Sequence, residues 1–154
     1  MIIEFNKPEF KEFIFLSNFY HSPFMDSSGV LWQTNEHYYQ AMKTVDLLER
    51  ALVWAAKTPK DSKRLGRQVA KREDWENIKE DVMMNGLRMK FTLGSKMAQY
   101  LIATSDNEII EHAPWDNYWG SGKDGKGENR LGALLMEHRA NLNSAMAGEH
   151  GVFQ

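Results

Sequence analysis

An aromatic cluster, a glycine-rich loop and an apolar helical run follow one another without a gap between residues 111 and 136. That order restricts how the chain can fold. Trp115, Tyr118 and Trp119 surround a single carboxylate, Asp116. Gly120, Gly122, Gly125 and Gly127 come next, interleaved with Lys123, Lys126 and Arg130. Leu131, Leu134, Leu135, His138 and Leu142 are then spaced by three and four, so the loop must end on a helix N-terminus. Glycines allow backbone N–H groups to approach an anion, and a helix start adds unpaired N–H groups and a positive dipole end. Spacing alone favours a plain surface connection. The Trp-Asp-x-Tyr-Trp cluster tips the reading toward a binding loop, because surface loops rarely carry so much aromatic area without a use for it. A nucleoside triphosphatase is excluded. Gly127 stands where the phosphate-loop pattern needs Ser or Thr, and no apolar strand precedes the loop.

The rest of the chain reads as one domain over residues 1–154, with a core from about 13 to 142 and a frayed tail from Ala147. A net charge of −2 gives no global pull toward nucleic acid or membrane, so an anionic ligand needs a local basic cluster. Without cysteine there is no disulfide, thiolate zinc site or cysteine nucleophile. No apolar run approaches the ~20 residues of a membrane span. The N-terminal segment has no signal-peptide pattern, which makes the cytoplasm the simplest compartment. The five histidines lack metal-ligand spacing, so neither a metal nor a cofactor is expected, and His37 and His138 read as satisfied core residues.

Local signals place the elements. Residues 1–24, with Ile3, Phe5, Phe13 and Phe15, read as short strands or extended chain, and a hairpin is expected around residues 22–33. Thr34 or Asn35 caps a helix from Glu36, with Tyr38, Ala41, Met42 and Val45 on its buried side. Glu36, Gln40 and Lys43 form the opposite, polar stripe, which is often no more than a solvated face. Helix continues from Leu47 to Lys57, restarts at Thr58-Pro59, restarts after Asp74 and again after Ser95, and Ile109-Ile110 forms a brief strand. The expected fold is mainly α (α+β): about six helices with a few short N-terminal strands or a hairpin.

Five motifs in register now resemble the NADAR family over about residues 13–140. They are Phe15-Leu16-Ser17-Asn18-Phe19; Trp32-x-Thr34-x-Glu36-His37-Tyr38-x-Gln40-Ala41-x-Lys43; Gly66-Arg67; Trp75-Glu76 with Met83, Arg88, Lys90 and Phe91; and Asp116-x-Tyr118-Trp119-Gly120-x-Gly122, continuing through Gly125-Lys126-Gly127-x-Asn129-Arg130-Leu131-Gly132. The resemblance implies an N-glycosidase that hydrolyses the bond between a ribose C1′ and a base or amine nitrogen. Its implied substrates are phosphoribosylated intermediates of riboflavin synthesis, or ADP-ribose linked to guanine in nucleic acid. The family's catalytic glutamate falls on Glu36, its catalytic aspartate on Asp116 and its active-site tryptophan on Trp75. Asn18, Lys43, Arg67, Trp119, Gly120, Gly122, Lys126, Asn129 and Arg130 are the implied substrate-binding positions.

The chemistry of these residue types agrees. N-glycoside cleavage passes through an oxocarbenium-like state that a carboxylate can stabilise, and a carboxylate must position or deprotonate water. Asp116 suits the water-activating or cation-stabilising role and Glu36 the ribose or leaving group, with the reverse assignment also open. Trp75 and Trp119 would stack on base or sugar. Lys43, Arg67, Lys126 and Arg130 would hold phosphate. Two alternatives remain: a module that binds ADP-ribose or a nucleotide without cleaving it, and a structural protein whose charged residues scatter.

Overall fold

The computed structural model describes residues 1–152; Phe153 and Gln154 lie outside the described residues. The chain forms two units. One combines Met1–Ser17 with the chain from Phe91 onward, and the other is the continuous segment Asn18–Lys90. Six α-helices, a 3₁₀ stretch and four short strands make up the described secondary structure.

In the first unit, β1 (Ile2–Phe5) pairs in parallel with β4 (Glu108–Glu111), Ile3 opposite Ile109 and Phe5 opposite Glu111. Ile3, Phe5 and Ile109 are fully buried. The chain then turns into a 3₁₀ stretch, Pro8–Leu16, where extended chain was expected for Phe13 and Phe15. Proline pre-sets the first turn, the stretch kinks at Phe10, whose backbone is not helical, and Phe13 and Leu16 then lie three residues apart, the 3₁₀ period. The phenylalanines pack ring to ring along it, and Phe15 reaches Tyr100 at 5.6 Å.

The helix α5 (Lys96–Ile102) begins at Ser95, whose hydroxyl accepts from the Ala98 N–H. The long helix α6 (Arg130–Val152) lays Leu131, Leu134, Leu135 and Leu142 into the core. It stays helical past Ala147, where the sequence suggested fraying. Its start is clamped onto β4 by Asn129, which sits at φ +50. The Asn129 Oδ1 accepts from the Glu111 N–H and its Nδ2 donates to the Ile109 carbonyl. Gly132 completes the join, because a Cβ there would overlap that same carbonyl. His138 is buried and donates through Nε2 to the Phe91 carbonyl.

The second unit is built around α1 (Asn35–Ala41), against which β3, α2, α3 and α4 all pack. A hairpin leads into it. β2 (Phe24–Met25) pairs antiparallel with β3 (Leu31–Trp32), and Asp26 ties the turn through Ser28 N, Val30 N and the Trp32 indole. Tyr38 then packs edge-on against Phe24 and Trp32.

Thr34 caps α1 by accepting from His37 N. The His37 ring is satisfied on both nitrogens, accepting from the Thr34 hydroxyl at 2.8 Å and donating to the Ala56 carbonyl at 2.9 Å. After Ala41 the helix breaks, leaving Val45 66% exposed rather than on the expected buried side. Asp46 then caps α2 (Leu47–Trp54) through two N–H groups. Thr58 and Pro59 start α3 (Pro59–Gly66) as their sequence positions require, and α4 (Trp75–Lys90) follows Asp74.

Candidate active site

All seven residues of α1 are buried. The stripe of Glu36, Gln40 and Lys43 is therefore not a solvated face. Helical spacing sets Glu36, Tyr39 and Gln40 along one side of α1, and Lys43 follows in the turn after it. Glu36 is only 6% exposed, and its Oε1 accepts from the Gln40 side-chain N–H at 2.7 Å. Its backbone N–H donates to the Asn18 carbonyl.

Lys43 lies one turn further on, half-buried, with its ammonium 5.6 Å from the centre of the Tyr39 ring. Burial pushes the Lys43 ammonium below its usual range; Glu36 opposes that shift, and Lys71, Arg67 and Lys63 add to it. Glu36 thus acts on Lys43, and Lys43 also feels Lys63 of α3, Arg67 at its end and Lys71 beyond it. Trp75, at the start of α4, is 3% exposed and packs its indole 5.1 Å from the Tyr39 ring. Its indole is enclosed against Tyr39 rather than exposed as a stacking platform.

Asn18 is also buried, and its amide works inside the unit. Its Oδ1 accepts from the Asn35 amide at 2.9 Å and its Nδ2 points at the Met83 sulfur at 3.4 Å. Arg67 is exposed at the C-terminal end of α3. Lys90, at the end of α4, is 3% exposed and faces the Tyr20 ring at 5.8 Å; burial pushes its ammonium down to about 7.

The 111–136 stretch, in the other unit, is built differently. Asp116 is half-buried, and its Oδ1 accepts from the backbone N–H groups of Tyr118 at 2.9 Å and Trp119 at 2.8 Å. This turn folds Tyr118 and Trp119 against each other edge-to-face at 4.9 Å. Trp115 is 70% exposed.

Many of the loop's N–H groups are already engaged within the fold. The N–H groups of Ser121, Gly122, Gly127, Glu128 and Asn129 all donate to carbonyls of residues 111–121. Those of Arg130 and Leu131, at the start of α6, go to the carbonyls of Tyr118 and Trp119. The glycines serve close packing instead. Gly122 turns at φ +71, and a Cβ on Gly120 would come 2.5 Å from the Ala113 methyl. Positive charge in the loop therefore comes from side chains, with Lys126 exposed and Arg130 half-buried. Asn129 spends both ends of its amide on β4, which makes it first a clamp.

The sequence reading gathered Glu36, Lys43, Arg67, Trp75, Asp116, Trp119 and the loop at one site; Glu36, Lys43, Arg67 and Trp75 belong to the unit Asn18–Lys90, and Asp116, Trp119 and the loop to the other. It missed Tyr39, Lys63 and Lys71, and it gave Gln40 no role. The Glu-x-x-x-Gln spacing on a helix was the available signal for Gln40.

Comparison with known proteins places this architecture. The NADAR domain model matches residues 4–143. An N-glycosidase YbiA of Shigella flexneri serotype 5b is 42% identical over 82% of this chain and 79% of its own length. A riboflavin biosynthesis protein of Vibrio vulnificus is 40% identical over 83% of this chain but only 35% of its own, longer sequence. The NMR structure of the E. coli protein YbiA superposes with a TM-score of 0.82 at 37% identity, over 96% of this chain and 88% of that one.

Proposed function

This chain belongs to the NADAR family, and we propose that it is an N-glycosidase acting on a ribosylated base or amine. Water adds across the C1′–N bond. The sugar keeps the hydroxyl at C1′, and the nitrogen leaves with a proton. The observation that carries this reading is Glu36, a carboxylate buried in a helix, held by an amide and in electrostatic interaction with Lys43. Burying such a group costs several kcal/mol unless pairing and hydrogen bonds offset it, so its retention here points to a function.

We assign both carboxylates to the one hydrolysis. Asp116 activates water or stabilises the oxocarbenium-like sugar, and Glu36 acts at the ribose or assists departure of the nitrogen. Lys43, Arg67, Lys126 and Arg130 hold phosphate, while Trp75 and Trp119 bound the base or sugar. Asn18, Gly120, Gly122 and Asn129 serve the substrate chiefly by shaping what surrounds it, since their polar groups or close contacts are largely engaged within the fold.

Phosphoribosylated intermediates of riboflavin synthesis are the favoured substrate class, supported by a relative named as a riboflavin biosynthesis protein. ADP-ribose on guanine is the second class. A pure binding module is not favoured. Relatives are named N-glycosidases, and extra carboxylates weaken the capture of an anion. We take the cytoplasm as the compartment, in keeping with a chain that lacks cysteine; no described helix is long and apolar enough to cross a membrane.

The test offers both substrate classes to the purified protein and follows release of free base by mass spectrometry. Release from either class, at a rate proportional to enzyme, is the expected result. Tight binding of ADP-ribose with no base released from either class would leave the binding module standing.

A further inference from the structure

The Gln40 side chain is buried, and only one end of it is satisfied. Its Nε2 donates to Glu36, while its Oε1 has no hydrogen-bond donor among the described residues. That oxygen is seated against Gly66 of α3. A Cβ built on Gly66 would overlap Oε1, would stand 2.8 Å from Cδ, and would meet the Gln40 Cβ at 3.0 Å. Leaving a buried acceptor unmet costs about 1–3 kcal/mol. An apolar side chain of the same length would avoid that cost. The position therefore gives up stability, and what it holds in return is an N–H aimed at one oxygen of Glu36.

The orientation is imposed rather than chosen among equals. A flipped amide would set an acceptor against the carboxylate oxygen and turn the N–H groups toward the Gly66 Cα. The same device recurs one turn earlier on α1. The Asn35 Oδ1 is likewise without a donor among the described residues and is seated against Gly86, while its Nδ2 donates to the Asn18 Oδ1 at 2.9 Å. Two amides on α1 thus each press an oxygen onto a glycine of a neighbouring helix and offer their nitrogen to a neighbouring polar side chain.

We infer that Gln40, held in place by Gly66, is the positioning residue that fixes the Glu36 carboxylate for the chemical step. The inference rests on the assignment of Glu36 as a reacting group. A fixed N–H donor removes the freedom of one carboxylate oxygen to rotate and leaves the other pointed, which matters for a reaction step and little for affinity.

The test is steady-state kinetics, on whichever of the two ribosylated substrates the parent turns over, with Tm recorded for each variant. Gln40→Met keeps the length and loses the donor. It is expected to lower kcat about 10- to 100-fold with KM within twofold, since only an interaction made at the chemical step is lost. Gly66→Ala is expected to lower kcat by displacing the amide. In the Gln40→Met background it should add little further loss of kcat, because the donor to Glu36 is already gone, while the overlap that remains with the side chain is read in Tm.

Parent-like kcat in Gln40→Met overturns the inference. So does a rise in KM that matches the fall in kcat, or a full additional loss in the double variant. Gln40→Leu is the second variant, and if neither substitution folds, Gln40 is a folding residue and the inference fails. Glu36→Gln separates the two levels of the argument. If it is inactive while Gln40→Met is normal, only the positioning role falls. If it retains the parent rate, the assignment of Glu36 falls and takes the positioning role with it.

Discussion

Glu36 and Asp116 are both carboxylates with aromatic residues close by in the sequence, yet the chain holds them in opposite ways. Glu36 is enclosed within a helix and is steadied by another side chain. Asp116 is half-buried in a loop and is steadied by the backbone N–H groups of the two residues that follow it. A side-chain clamp can be removed without disturbing the local backbone. A backbone clamp makes the carboxylate part of the turn itself. Function and folding are therefore separable at position 36 and entangled at position 116.

The comparison can be broken first through catalysis, where the effects are largest. Glu36→Gln and Asp116→Asn each remove a charge but keep a side-chain acceptor, and each is expected to lower kcat by roughly 10²–10⁴-fold. Circular dichroism and Tm should stay close to the parent. A parent-like rate in either variant removes that residue from the chemistry.

Stability sharpens the contrast. Asp116→Ala strips the acceptor from two N–H groups and should cost about 1–2 kcal/mol in denaturant unfolding, whereas Asp116→Asn should cost much less. Equal losses for the two would mean that the turn does not depend on this oxygen.

A pH series tests the enclosed unit at a residue outside the proposed chemistry. Lys90 is buried, with its ammonium pushed down to about 7, so below pH 7 the native state carries an enclosed charge that the unfolded chain carries in water. Between pH 7 and the ordinary lysine range, the native state has released a proton that the unfolded state still binds, so stability rises with pH there. Lys90→Met should raise the unfolding free energy by a few kcal/mol at pH 6, with the gain shrinking toward pH 10. A gain independent of pH would contradict the enclosed charge.

The smallest expected effect is at a cap. Thr58→Ala removes the acceptor for Asp61 N at the start of α3, the helix that seats Gln40, and should cost about 1 kcal/mol. No measurable loss would show that Pro59 alone starts the helix.

Much of this was readable from the residues. Thr34, Thr58 and Ser95 cap helices where their positions required, and the motifs in register identified the family before any geometry was known. Three features were not readable, each for a physical reason. The Phe13-x-Phe15 alternation imitates a strand, and only the three-residue repeat with Pro8 betrays the 3₁₀ stretch. Periodicity shows that the Glu36–Gln40–Lys43 stripe is polar but not that four other elements close around α1. A run of glycines shows where N–H groups can approach an anion, but not that carbonyls within the fold have already taken many of them. In each case local chemistry was legible, and what covered it depended on residues distant in the chain.

The most direct measurement is the rate of free-base release by the Glu36→Gln/Asp116→Asn double variant beside the two single variants. If both carboxylates serve one transition state, the double variant loses little more than the slower single variant, because either loss already disables the shared step. Losses that multiply in full would show two independent contributions and contradict the assignment of both acids to one hydrolysis.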